Sequence, residues 1–327
     1  MPLPRLACAL ALATLAWRGT APDAALDLTA AALPDGGVEL RWSAPAGPGL
    51  ELRRAYDAQA FTPPADLVPV VTRWPLASAH GRLVDRHAAD GTPYAYALAR
   101  GGRLGAAITV TTPDRTLAAC AHPALWVDKH FYTLAVVDGG RVRKRYPIAM
   151  GRLPARRKLH FDNASTPEGL YHILAAQPRA TYHRAYDLDY PNALDRVRYT
   201  LARGATAGYP AIGGEVQIHG RGIAHNWTWG CVALRDEDID ELFTHRELGP
   251  GCEVRLWGGE LTEADVAALA AGPPDTARWR TALARQHVSW DGRPGEPFWR
   301  ALGRFQLQAG LPLSCVPDAA TRAKLGL

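Results

Sequence analysis

The sequence predicts a mainly β protein with some α structure: an N-terminal β-sandwich, a central β-rich domain and a small C-terminal helical region. Three observations predict this class. Short segments in the first third alternate apolar and polar residues, turn residues separate them, and helical spacing is concentrated towards the C-terminus. A chain of 327 residues is long enough for two or three domains.

The composition is that of a folded globular protein. Hydrophobic residues make up 47% and charged residues 21%, as in ordinary globular domains. The net charge of +5 is spread thinly, and no Lys/Arg block alternates with aromatic residues. We therefore expect no nucleic-acid binding. We also expect no stable membrane span.

The first residues have the pattern of a secretory signal. Arg5 precedes the apolar stretch 6–17 (LACALALATLAW), which is shorter than the ~20 residues needed to cross a bilayer. Ala13 and Ala16 suit cleavage after Ala16 or slightly later. We predict a signal peptide over residues 1–22 and export to the periplasm or cell wall; a buried N-terminal helix is the alternative.

Residues 26–113 read as short strands. Segments 38–45 and 50–57 alternate in polarity, and 94–112 reads as a hairpin. Strands at these intervals indicate a β-sandwich. With Trp42 as its core tryptophan, the region resembles a fibronectin type III module. No chemistry is assigned to it, and an adhesion protein whose function lies here remains a rival interpretation.

After a linker, a second β-rich region begins near residue 123. Two strands should flank the turn at Gly139 and Gly140. The section 152–214 is expected to be loop-rich, and its basic start, 152–158 (RLPARRK), to be a solvated loop.

The C-terminal part changes to helical spacing. A helix is predicted after Arg235, a strand over 252–257, and a helix that Thr262 caps and Gly272 ends. The tail resembles the last part of a peptidoglycan-binding type 1 module, within a helical region over 275–327; a helical appendage that packs on the preceding domain is the alternative.

The stretch 216–240 carries the chemistry. His219 ends a short strand, and Cys231 follows 12 positions later, directly after Gly230. Acyl transfer by a thiol needs the thiolate, which a neighbouring imidazole generates. The amides of Gly230 and Cys231 are candidate oxyanion donors. On spacing alone, a buried structural thiol and a structural histidine remain open, as does His225 as the base.

Three ordered motifs resemble the L,D-transpeptidase catalytic domain (YkuD-like). They are the opening strands from Ala124, the segment 165–173 (STPEGLYHI), and a signature at Ile218, His219, Gly220, Thr228, Gly230, Cys231 and Val232. The resemblance implies a catalytic domain over 123–258 and cysteine acyl-enzyme chemistry on peptidoglycan stem peptides. It also implies Cys231 as nucleophile, His219 as base and the Gly220 carbonyl as the group that orients the imidazole.

Two positions depart from the family pattern. Trp229 replaces the histidine that usually precedes Gly-Cys, and Ala233 replaces an Arg or Asn. The variant W-T-x-G-C, with the segment 187–196 (DLDYPNALDR), resembles a divergent subgroup, some of whose members hydrolyse or detach wall-linked groups. A related L,D-carboxypeptidase or amidase, or a catalytically decayed wall-binding protein, is therefore the alternative to a transpeptidase.

The remaining predictions concern ligands. Thr228, Trp229, Tyr190 and Asn192 are predicted to contact the substrate, although the last two lie in a Pro-containing turn where polar groups often bond locally. No cofactor or metal is expected, since C-x-x-C and H-x-x-x-H spacings are missing from the sequence. If Cys231 is free, Cys120, Cys252 and Cys315 allow at most one disulfide, whose pairing is open.

Overall fold

The computed structural model describes residues 23, 25–205, 208, 210–272 and 275–327. The predicted signal peptide lies outside the described residues.

The strands are β1 (Asp27–Ala32), β2 (Val38–Ser43), β3 (Leu50–Ala55), β4 (Val71–Pro75), β5 (His80–Asp85), β6 (Pro93–Arg100), β7 (Arg103–Leu104), β8 (Ile108–Thr111), β9 (Pro123–Asp128), β10 (Thr133–Asp138), β11 (Arg141–Pro147), β12 (Gly169–Ala180), β13 (His183–Leu188), β14 (Gln217–His219), β15 (Val232–Ala233) and β16 (Glu253–Trp257). The α-helices are α1 (Ala193–Ala205), α2 (Asp236–Thr244), α3 (Glu263–Ala271), α4 (Thr276–Arg285), α5 (Glu296–Ala309) and α6 (Ala319–Leu325), and 3₁₀ turns occur at Ala58–Phe61 and Phe161–Asn163.

The protein is mostly β, with β-sheets at the N-terminus and helices at the C-terminus, as predicted. The first eight strands form two sheets, ordered β1-β2-β5 and β4-β3-β6-β7, with β8 paired to β6. Their inward side chains share one core, built by Leu28, Leu40, Leu52, Tyr94 and Leu98. Trp42, expected inside this core, is only half-buried and packs against it, because its ring covers Gly81 at the sheet surface.

The central sheet has eight strands in the order β11-β10-β9-β16-β12-β13-β14-β15. β10 and β11 flank the Gly139–Gly140 turn as predicted, and every residue of β10 is buried. The sheet curls until the chain after β11 meets the far edge, where Ala149 and Ala233 exchange two backbone hydrogen bonds of 2.8 and 2.9 Å. Both β15 and the loop that leads into it therefore lie where the sheet closes.

The prediction that 152–214 is loop-rich is wrong for residues 169–205, most of which form β12, β13 and α1. In β12 the buried positions alternate, but Leu174 lies on the outward face and is 59% exposed, so the polarity pattern of a strand is missing. In α1, Arg198 is buried beside the apolar side chains of Leu194 and Val197, which hides the helical period.

The C-terminal helices build a separate apolar core from Trp279, Leu283, Trp290, Phe298 and Leu302. α3 begins at the predicted cap, since Thr262 and Asp265 form a capping box. The loop before α6 is fastened to the central domain by two buried guanidinium groups. Arg157 donates to the Ser314 carbonyl at 3.0 Å, and Arg198 donates to the Leu313 carbonyl at 2.7 Å.

The N-terminal sheets are also joined to the central domain by buried polar contacts. Arg54 donates to Asp85 at 2.6 Å and to the backbone carbonyl of Phe131. The Tyr56 hydroxyl accepts from the Ile148 amide at 2.9 Å. The buried Arg54 and the half-buried Tyr56 therefore each have a hydrogen-bond partner in the chain that follows the N-terminal sheets.

Among the described helices, none combines the length and apolarity required to cross a bilayer. The four cysteines in the described part of the chain, Cys120, Cys231, Cys252 and Cys315, are all free thiols.

Candidate active site

Two parallel strands bring the predicted nucleophile and base to one face of the sheet. β14 and β15 pair with His219 opposite Ala233 and Ile218 opposite Val232, so Cys231 lies beside Gln217. Side chains two apart along a strand share a face, so Cys231 and His219 point to the same side. Pairing at these strand spacings puts their Cα atoms roughly 8 Å apart.

The imidazole of His219 is buried and fixed in orientation. Nδ1 lies 2.7 Å from the Gly220 carbonyl oxygen, the contact expected to orient the ring. Because a carbonyl only accepts, this contact puts the proton of the neutral ring on Nδ1 and leaves a lone pair on Nε2. Nε2 is buried and has no hydrogen-bond partner among the described residues.

Two aromatic rings hold the imidazole from its sides. The Tyr182 ring centroid lies 4.8 Å from that of His219, and the Trp227 centroid lies 5.4 Å from it. Burial lowers the pKa of His219, and the hydrogen bond to the Gly220 carbonyl opposes this only in part. The ring is therefore neutral near pH 7, which is the state of a general base.

The thiol of Cys231 is half-buried and rests against the start of β14. Its Sγ accepts from the Gln217 amide at 3.4 Å and donates to the Glu215 carbonyl at 3.6 Å. No hydrogen bond joins Sγ to His219. Burial raises the pKa of Cys231, while the Gln217 amide and the Lys158 charge lower it. The resting site is therefore a neutral thiol beside a neutral imidazole.

The loop before Cys231 is shaped by Thr228. Its hydroxyl donates to the Cys231 carbonyl at 2.7 Å and accepts from the Gly230 amide at 3.2 Å. Gly230 has φ +142°, a conformation that favours glycine, and a Cβ there would lie 2.9 Å from the Ser165 carbonyl oxygen. Since the Gly230 amide already has an acceptor, the Cys231 amide is the less committed of the two predicted oxyanion donors.

The prediction that 152–158 is a solvated loop is wrong for its last two residues. Arg157 is 1% exposed and Lys158 is 4% exposed. Both are buried because the segment folds under the thiol loop, where Lys158 Nζ donates to the Trp229 carbonyl at 2.8 Å. Long-range packing of this kind leaves no signal in a run of basic residues.

An exposed aromatic pair lies beside the thiol. Trp229 and Phe161 are 56% and 58% exposed, and their rings are nearly parallel, with centroids 6.4 Å apart. The Arg152 guanidinium lies 5.6 Å from the Trp229 ring. Large apolar side chains exposed together at a candidate site are typical of a ligand surface.

The other predicted substrate contacts bond within the protein. The Tyr190 hydroxyl donates to the Ile212 carbonyl at 3.1 Å, and Asn192 Nδ2 donates to the Leu170 carbonyl at 2.9 Å. Both side chains help to fix the turn before α1, and their contact with substrate stays a prediction.

Sequence reasoning missed Lys158, Tyr182, Gln217 and Phe161. Tyr182 comes from the β12–β13 turn, and Gln217 lies in a row with Cys231 across the sheet. Only Gln217 had a local signal, because it is two residues before His219 on the same strand.

Comparison with known proteins agrees with the resemblance seen in the sequence. Residues 122–255 match the family model YkuD, described as the L,D-transpeptidase catalytic domain. This segment is thus similar to the L,D-transpeptidase catalytic domain, and the match covers less than half of the chain. No curated protein sequence matches the chain.

Several solved structures are similar to this chain at low identity. An L,D-transpeptidase from Xylanimonas cellulosilytica is 16% identical over 43% of this chain and 63% of that chain, with a TM-score of 0.28. One from Stackebrandtia nassauensis is 16% identical over 44% and 60%, with a TM-score of 0.28. An L,D-transpeptidase from Mycobacterium smegmatis is 15% identical over 71% and 97%, again with a TM-score of 0.28. The match thus spans less than two thirds of the length of the first two chains.

Proposed function

We propose that this protein is an exported L,D-transpeptidase that acts on peptidoglycan stem peptides through an acyl-enzyme on Cys231, in cell-wall biogenesis and the maintenance of cell shape. The observation that carries the proposal is the free, buried Nε2 of His219 on the sheet face that also carries the Cys231 thiol. A base with a lone pair and no partner is costly to bury, so its retention beside a thiol favours catalysis over structural use.

The proposed reaction is a ping-pong transfer. As Sγ attacks the carbonyl carbon of an amide that follows an L-centre, the thiol proton passes to His219 Nε2. The tetrahedral oxyanion accepts from the Cys231 amide. Collapse breaks the C–N bond, and His219 returns the proton to the departing amine, which leaves a thioester on Cys231.

The second half of the cycle decides the product. An acceptor amine attacks the thioester, His219 takes its proton, and cleavage of the C–S bond gives a new amide and the thiol. If water attacks instead, the product is a carboxylate, and the protein is an L,D-carboxypeptidase or an amidase that detaches wall-linked groups. In the resting protein Sγ faces Gln217 and Glu215, so Sγ has to turn towards Nε2 when substrate binds, as catalytic contacts often tighten only in the complex.

Mass spectrometry of muropeptides tests the proposal. Purified protein is incubated with tetrapeptide-bearing muropeptides, with and without a second muropeptide as amine donor. A transpeptidase yields crosslinked dimers, a hydrolase yields trimmed or detached products, and a decayed wall-binding protein leaves the mixture unchanged. The last outcome contradicts the proposed function.

The pH profile should report His219. Because burial holds its pKa below the ordinary value of about 6.5, we expect kcat/KM to fall only when the pH drops beneath that value, as Nε2 gains a proton and ceases to be a base. The substitution His219→Gln should slow turnover by about 10²- to 10⁴-fold and remove this fall at low pH, the acid limb of the profile. The measurement is kcat/KM between about pH 4.5 and 8. An acid limb that persists in His219→Gln would assign it to another group.

We further propose the surrounding organisation. Residues 1–22 serve as a signal peptide that directs export to the periplasm or cell wall, and residues 26–113 form a fibronectin type III-like module. Residues 123–258 form the catalytic domain, and residues 275–327 form a helical region that resembles a peptidoglycan-binding module. Trp229, with Thr228, Tyr190 and Asn192, contributes to substrate binding.

A further inference from the structure

Lys158 is a buried lysine without an acidic partner. It is 4% exposed, and no carboxylate among the described residues lies within ion-pair distance of its Nζ. The other two buried lysines are paired: Lys129 with Glu168 at 2.6 Å, and Lys144 with Glu241 at 2.7 Å. An uncompensated buried ammonium is costly, and ionisable groups perturbed in this way cluster at functional sites.

The backbone of Lys158 is held in place by hydrogen bonds to both its amide and its carbonyl. Its amide donates to the Thr166 carbonyl at 3.3 Å, and its carbonyl accepts from Arg198 at 3.1 Å. Its side chain then runs beneath the thiol loop. A Cβ on Gly230 would lie 3.1 Å from Nζ, so the ammonium is in contact with the residue that precedes the nucleophile.

The ammonium holds one peptide of this loop and faces the thiol. Nζ donates to the Trp229 carbonyl at 2.8 Å, which turns the next amide, that of Gly230, towards Thr228. The charged groups that face Cys231 are Lys158 from the 152–168 segment, Glu215 before β14, and Asp187 from β13. Lys158 is the one cation among them; Asp162 is the further acidic group near it.

We propose that Lys158 is a positioning residue that fixes the Trp229–Gly230 peptide and stabilises the thiolate of Cys231 during acyl transfer. This inference rests on the proposed function. When the thiol proton leaves for His219, the thiolate forms beside a fixed ammonium, and the charge that burial made unfavourable acquires a counterion. Burial lowers the pKa of Lys158, and the Cys231 charge raises it, as expected for two groups that stabilise each other's ionised forms.

Alkylation of Cys231 by iodoacetamide as a function of pH tests the proposal, with peptide mass spectrometry to separate Cys231 from the buried thiols. In Lys158→Met we expect the apparent pKa of the thiol to rise by about one unit, and its alkylation near pH 7 to slow about tenfold. Lys158→Gln keeps a donor for the Trp229 carbonyl but not the charge, and it should raise the apparent pKa of the thiol by a similar amount. Lys158→Arg should restore most of the reactivity.

The controls separate charge from structure. Lys144→Met removes another buried lysine, one that does not face Cys231, and should leave the thiol profile unchanged. Unfolding temperatures identify variants that do not fold. If Lys158→Met does not fold, the thiol pKa of Lys158→Gln is compared with that of Lys158→Arg, and this comparison tests the proposal. A wild-type profile in Lys158→Gln, or an equal shift in Lys144→Met, overturns the proposal.

This titration needs no substrate, so its result does not depend on which reaction the enzyme catalyses. Kinetics add a second readout where turnover is measurable. Loss of thiolate stabilisation should lower kcat and leave KM nearly unchanged, whereas a general distortion of the substrate surface would raise KM.

Discussion

Replacing Cys231 by alanine should abolish acyl transfer, with a loss on the order of 10⁴-fold or more. The reason is chemical, since without Sγ no thioester forms and neither the imidazole nor the oxyanion donors have an intermediate to act on. The fold should be preserved, because the thiol is half-buried and its hydrogen bonds within the described part of the chain are two weak ones, of 3.4 and 3.6 Å. Turnover of muropeptides by purified variants is the measurement.

A matched variant tests whether the loss of activity is specific to Cys231 or follows from removing any buried thiol. Cys120→Ala removes a buried thiol from the segment before β9 and should leave kcat/KM unchanged. Residual turnover above about one per cent in Cys231→Ala would assign the nucleophile to another group.

Replacing Arg54 by methionine should destabilise the protein by about 3–5 kcal/mol. The guanidinium is 2% exposed and donates to the fully buried carboxylate of Asp85 at 2.6 Å, so its removal leaves an uncompensated buried charge. It also removes a contact to the Phe131 carbonyl across the junction with the central domain. The free energy of unfolding from chemical denaturation is the measurement.

Two variants isolate the buried charge as the cause. Arg41→Met breaks the surface pair with Glu39, in which the arginine is 61% exposed, and should scarcely move the unfolding transition. Adding Asp85→Asn to Arg54→Met removes the stranded charge and should recover part of the loss. A double variant that is less stable than Arg54→Met would show that the guanidinium acts through packing instead.

The elements that follow from local patterns were predictable from the sequence. β2 alternates in polarity, β10 and β11 flank a glycine pair, and α3 begins at a capping threonine. By contrast, β12 carries Leu174 on its outward face, and Arg198 interrupts the apolar stripe of α1 with a buried charge. Local patterns fail there because tertiary contacts, not periodicity, decide which residues are buried.

Some residues of the candidate site were likewise predictable from local sequence, and others were not. Cys231, His219 and Gly230 lie within one short stretch whose order carries the signal, and the structure brings the first two to one face of the sheet. Lys158 and Phe161 come from a segment some seventy residues earlier; Lys158 ends a basic run without periodicity, and Phe161 follows that run. Their position beside the thiol loop is set by the curl of the central sheet, and no local pattern records it.

The most direct test of the account is intact-protein mass spectrometry during turnover, with peptide mapping of the modified residue. If Cys231 is the nucleophile and His219 its base, wild-type protein carries one acyl group from the stem peptide, attached to Cys231 as a thioester that hydroxylamine removes. Cys231→Ala should carry none, and His219→Gln should acquire it slowly. An acyl group on any other residue, or turnover without an acyl-enzyme, would contradict the account.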